Sequence, residues 1–198
     1  MPFTIQRLAL AGLLLFCQSV RADHAISIST AHKSAREEQT AAQLDRLLRS
    51  HDVSRWAFTR AVVINEDDIP HSHPVLTLHA RHLDEDNLLL STYVHEQLHW
   101  FLSAREKQLN AAAAALRVIY PRIPVGFPEG SGDEDGNYEH LVVAYLEHQA
   151  IQSLLGEAKA RQVIQFWTTD HYTWIYKTLL KEPEKIAAVI KAHGLLPP

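Results

Sequence analysis

The chain has 198 residues, of which 46% are hydrophobic and 21% charged, with one cysteine and a formal net charge of −4 when histidines are neutral. That length and apolar content suit one compact domain with a sizeable core. The acidic balance offers no basic field for nucleic acid, and a single cysteine excludes a disulfide framework.

Residues 1 to 22 read as a secretory signal. Arg7 supplies the charged start, Leu8 to Phe16 form an apolar run too short to span a bilayer, and Val20, Arg21, Ala22 offer a small-residue cleavage site. Cleavage after Ala22 would place the protein outside the cytoplasm, secreted or periplasmic. It would also remove Cys17 and leave residues 23–198 as one domain with 17 basic against 23 acidic side chains. No second long apolar segment predicts a membrane span.

Residues 34–50 carry Leu44, Leu47 and Leu48 at helical spacing on a polar background, which predicts a surface helix. Between 59 and 90, "TRAVVIN" and "HPVLTLHAR" lie between the turn signals "NEDDIP" and "LDEDN" and predict two short strands. His71, His73, His79 and His82 accompany them, and "HSH" before a proline reads more simply as a solvated loop than as a second metal site.

A helix is expected next, N-capped by Ser91, over "TYVHEQLHWF". His95 and His99 stand four apart and so share one face, with Glu96 beside them. With thirteen histidines and thirteen glutamates in the chain, about 0.05 such patterns are expected by chance. The uncharged flanks Gln97, Leu98, Trp100 and Phe101 suit a buried helix, where a charge would have to be desolvated.

A second helix is expected up to Tyr120, then a loop at 121–137, then helices over about 137–155, 156–167, 170–181 and 183–193. The acidic stretch "EGSGDEDGN" matches only the first ligand positions of a calcium loop and reads as a flexible cleft rim. On a wheel for 138–155 with Tyr138 at zero, His140 and Glu147 fall at about 200° and 180°, centred on the apolar stripe. A histidine there is usually a core residue, but a carboxylate there needs a partner or a metal. Seven residues of helix rise about 10 Å, so the two cannot easily ligate one ion. His140 is the expected third ligand. Glu147 is the alternative, or a group that accepts the spare ring N–H of a ligand and fixes its tautomer. Glu139 and His148 lie at the edges of the face and carry less weight.

The ten residues 92–101 resemble the extended HExxH signature of the zincin metallopeptidases. The expected order of a small sheet, the HExxH helix and a helical half is similar to the zincin plan. Metzincins place a third histidine six residues after the second, where this chain has Arg105, so the resemblance is not to that group. Thermolysin-like enzymes use a glutamate, at a shorter spacing than the 41 residues to His140 or the 48 to Glu147.

The resemblance implies a mainly helical α+β fold, one Zn²⁺ per chain, Glu96 as general base toward water, and a peptide or protein substrate cleaved at an amide bond. Tyr172 and Tyr176, with His171 beside them, are candidate donors to the oxyanion. The spacing of Tyr172, Ile175, Tyr176 and Leu179 equally describes a core stripe. "VLTLHAR" is the strand expected to pair with an extended substrate. The rival readings are a non-catalytic zinc-binding domain and a helical interaction module with an accidental HExxH.

Overall fold

The computed structural model describes residues 26–198; the expected signal segment lies outside them. Three short strands, β1 (Ser27–Thr30), β2 (Ala61–Ile64) and β3 (Leu76–Leu78), form one parallel sheet in the order β1-β2-β3. The described residues also form seven α-helices, α1 (Ala35–Ser50), α2 (Asp86–Ser103), α3 (Glu106–Ile119), α4 (Glu134–Leu155), α5 (Glu157–Asp170), α6 (Thr173–Lys181) and α7 (Pro183–Ala192), of which α1 and α2 pack on the sheet. The fold is therefore mainly helical α+β, with the small sheet preceding the HExxH helix. Among the described residues, no helix is long and apolar enough to cross a membrane.

β1 is an addition to the two expected strands. Its sequence SIST holds a single apolar residue and alternates only in exposure, and its pairing of Ser27 with Ala61 spans 34 residues. Helix α1 makes the crossover between these parallel strands, as such a pair requires. Ser34 caps α1 by accepting the Glu37 N–H at 3.2 Å.

Glu37 is itself fully buried. It accepts hydrogen bonds from the His32 backbone at 2.7 Å and the Glu66 backbone at 3.2 Å, and pairs with the His32 ring at 3.0 Å. Burial pushes its carboxyl up, but these bonds and the Ser34 backbone outweigh it and hold the pKa down at about 2. A depressed folded pKa contributes stability above the unfolded value and loses it as pH falls through about 2. Glu37→Gln is thus expected to be less stable than wild type at pH 7. In urea unfolding at stepped pH, that gap should narrow from about pH 4.5 downward and nearly close near pH 2. A gap independent of pH would remove the ionised carboxylate from the account.

Helix α2 begins at Asp86, so Ser91 is interior rather than its cap. The start is set by tertiary bonds. Asp86 accepts from Gln43 Nε2 at 3.0 Å and takes both Arg46 nitrogens, at 2.7 and 3.0 Å. The helix is buried along most of its length, with Leu90, Val94, Leu98 and Phe101 no more than 1% exposed. Each contributes about 1.5–3 kcal/mol, which offsets the polar residues between them.

Gln97 is one of those polar residues and is fully paired. Its oxygen accepts from the Phe58 and Thr59 backbone at 2.6 and 2.8 Å, and its nitrogen donates to Thr59 O at 2.9 Å and Tyr93 Oη at 3.0 Å. α4 is the centre of the helical half, packing on α2, α3, α5, α6 and α7. Its buried residues, among them Leu141, Val142, Val143, Leu146 and Ile151, run round most of its circumference.

Candidate metal centre

The crossing of α2 and α4 brings His95 and His99 against His140, with one ring nitrogen of each lying within 4.8 Å of the others. Nε2 of His95 and Nε2 of His99 are 3.3 Å apart. Two nitrogens each 2.0–2.1 Å from a tetrahedral ion would stand about 3.3–3.4 Å apart, so this pair already has the span of two ligands. The three histidines could hold a metal ion. His95 is 7% exposed and the other two are partly buried.

Every Nδ1 in the cluster is engaged with an acceptor. His95 Nδ1 meets Glu147 Oε2 at 3.0 Å, His99 Nδ1 meets Glu139 Oε1 at 2.8 Å, and His140 Nδ1 meets the Gly136 carbonyl at 2.7 Å. The Gly136 carbonyl can only accept, as can Glu139 and Glu147 when ionised, so in the neutral ring each Nδ1 is the proton-bearing nitrogen and each Nε2 is the one left to present a lone pair. Burial, followed by the His99 charge, pushes the His95 pKa well down, and burial holds His140 at about 3. Both rings are neutral, as ligands must be. Burial also opposes charge on His99, but the Glu139 hydrogen bond and the Glu96 carboxylate outweigh it and push its pKa up.

Glu147 lies outside the ligand cluster. Besides His95, its Oε2 accepts from Tyr176 Oη at 2.7 Å, and its Oε1 accepts from Ser91 Oγ, which in turn accepts from Trp167 Nε1 at 3.1 Å. Burial pushes this carboxyl up to about 7, against the pull of Ser91 and Tyr176. Such outer partners fix ring orientation and tautomer. Glu147→Gln is expected to keep one metal per chain at saturation but to bind it roughly 10–100-fold more weakly in a chelator competition. An undiminished affinity would separate Glu147 from the metal site.

Tyr176 is placed differently from its expected role as an oxyanion donor. Its O–H is spent on Glu147 and its side chain is buried. Tyr172 instead precedes α6, with its ring 4.4 Å from that of His140 and 6.4 Å from that of His95. Burial, then the Glu96 carboxylate, push its phenol up, so it keeps its proton. Its backbone is left-handed, with φ 49°, a conformation costing a non-glycine residue about 1–2 kcal/mol.

The segment after Tyr172 is held in place. Thr173 N–H donates to Pro128 O at 2.9 Å and Trp174 N–H to Glu129 O at 3.1 Å. The loop they reach is not the loose rim expected from its composition. Buried Asn137 donates to Pro124 O at 2.7 Å and accepts the Ser131 N–H at 2.7 Å. At Gly130 a Cβ would come within 2.7 Å of both Asn137 and Pro124, so only glycine fits under this clamp. His171, next to Tyr172, directs Nδ1 at Asp170 at 2.7 Å, and Asp170 also takes Arg81 at 2.5 Å.

Glu96 lines the same cavity as the three histidines, a space of about 600 Å³. Burial pushes its carboxyl up to about 7, moderated by the His99 and His71 charges. It makes no hydrogen bond among the described residues. The cavity is bounded by the 69–72 segment, the 127–132 loop and the 167–176 region.

His82 is buried, with Nδ1 on Glu85 at 2.9 Å and its ring edge-on to Trp167, so it belongs to the packing. The free edge of β3 is also closed. Thr77 exchanges both backbone hydrogen bonds with His71, at 2.8 and 3.1 Å, and Trp100 Nε1 fixes Ser72 O at 2.7 Å. His73 stacks on Trp100 at 4.1 Å.

Glu139 was the partner least visible in sequence, because a wheel marks only the apolar face and Glu139 reaches His99 from its edge. His148, also at the edge, makes no contact with the cluster. Compared with family models, with curated proteins and with solved structures, the chain finds no match.

Proposed function

We propose that this protein is a zinc-dependent peptidase acting outside the cytoplasm, with His95, His99 and His140 as ligands and Glu96 as general base. The observation that carries the reading is the set of three Nδ1 atoms each tied to an acceptor, which turns three Nε2 lone pairs toward one another. An accidental HExxH on a packing helix would not need that outer set. The donors also fit the metal: three imidazoles without thiolate or ligating carboxylate make the three-ligand type of catalytic zinc site, which leaves a fourth position open.

Zinc, when bound there, supplies Lewis acidity and a lowered pKa for water, toward about 7. The remaining chemistry falls to the chain. Glu96, buried and without a competing hydrogen bond, takes the proton of the attacking water and delivers it to the leaving amine. Tyr172 O–H, beside the histidine cluster, donates to the developing oxyanion. His171, oriented by Asp170, is the second donor.

The test is metal removal and return on the purified protein. Chelation should abolish hydrolysis of a mixed peptide library read by mass spectrometry, and one equivalent of zinc should restore it. A protein that binds one zinc, admits no small metal-directed ligand and cleaves no peptide would instead be the non-catalytic zinc-binding domain.

A further inference from the structure

Ile69 and Phe127 are 76% and 77% exposed, the side chains of two separate loops, and both line the metal cavity. A single exposed apolar residue needs no explanation, but two lining one cavity, with Pro70 and the buried Trp167 also lining it, give the space beside the histidine cluster an apolar rim. The charges around them are already spent. Arg81, the only Arg or Lys lining the cavity among the described residues, is paired with Asp170, the only Asp. An anionic substrate group entering here would lose water and gain no free Arg or Lys as counter-ion, and the one unpaired carboxylate, Glu96, is the proposed base. The β3 edge is not available to an extended substrate, because Thr77 is bonded to His71. Contact with the exposed apolar side chains is the recognition that this rim offers.

We infer that the cleft selects an uncharged apolar side chain of its substrate, gripped at the mouth by Ile69 and Phe127. This inference rests on the peptidase reading and adds its substrate class. The experiment uses the zinc-loaded protein and calorimetric binding of four hydroxamates. Acetohydroxamate reports only an open metal position, 3-phenylpropanohydroxamate adds a phenyl group, and succinate monohydroxamate and 4-aminobutanohydroxamate add either charge at similar length.

The phenyl compound is expected to bind on the order of tenfold more tightly than acetohydroxamate, and the charged pair no more tightly. In Phe127→Ser and in Ile69→Ser the phenyl-to-acetyl affinity ratio should fall several-fold. Acetohydroxamate binding without a phenyl preference, a preference for either charged compound, or a ratio untouched in both variants would overturn the inference while leaving the open metal site standing. Failure of acetohydroxamate itself to bind would overturn the peptidase reading beneath it, and the inference with it.

Discussion

His140→Ala is expected to leave the protein unable to retain zinc through desalting, whereas wild type retains one ion per chain by elemental mass spectrometry. A structural zinc site is worth roughly 10–16 kcal/mol in total, so one ligand of a small set carries on the order of 3–5 kcal/mol, or about 10²–10⁴-fold in affinity. That loss exceeds the 10–100-fold expected for Glu147→Gln, and the difference discriminates ligand from supporting group. The geometry gives the reason for the ordering. His140 presents Nε2 to the other two rings because its Nδ1 is held by Gly136 O at 2.7 Å, while Glu147 is occupied by His95, Tyr176 and Ser91. Loss of zinc from Glu147→Gln with full retention in His140→Ala would exchange the two roles.

The parts of this site that could be read from sequence are those set within one helix. His95, Glu96 and His99 share a turn, and a wheel over 138–155 was enough to put His140 and Glu147 toward the interior. What a single helix cannot show is where it crosses its neighbour. Glu139 matters only because α4 crosses α2 so that its carboxylate meets His99. The start of α2 differs from the expected Ser91 cap for the same reason: Asp86 is anchored by Gln43 and Arg46, about forty residues earlier, and no local cap signal records that. β1 carries no strand signal of its own, because SIST has one apolar residue in four and becomes a strand only when β2 pairs with it.

Tyr176 and Tyr172 illustrate the point with one residue type. Helical spacing groups them on one stripe, yet Tyr172 sits before α6 in a left-handed conformation and its ring turns to the histidines. The clamp that holds this arrangement runs through Asn137, the 124–131 loop and two backbone bonds to Thr173 and Trp174. Non-glycine residues in such conformations persist where surrounding structure over-determines them, which is common at functional sites.

Glu96→Gln is expected to keep one zinc per chain and to lose hydrolysis by roughly 10²–10⁴-fold, the range supplied by a positioned general base. The variant isolates proton transfer, because glutamine has nearly the same shape and Glu96 is not among the clustered ligands. Its stability should move the other way. Burial raises the Glu96 pKa in the folded metal-free chain to about 7, above its ordinary 4.5. A raised carboxylate pKa means that the ionised form is destabilising, with the cost growing as pH rises from about 4.5 and reaching its full size above about 7. Metal-free Glu96→Gln should therefore melt at or above the wild-type temperature at pH 8, with the advantage shrinking toward pH 5. An inactive variant that is more stable and still binds zinc is the signature of a carboxylate kept in an unfavourable place for its chemistry. Hydrolysis unchanged in Glu96→Gln would assign the base elsewhere, whereas a drop in melting temperature would make Glu96 a structural residue.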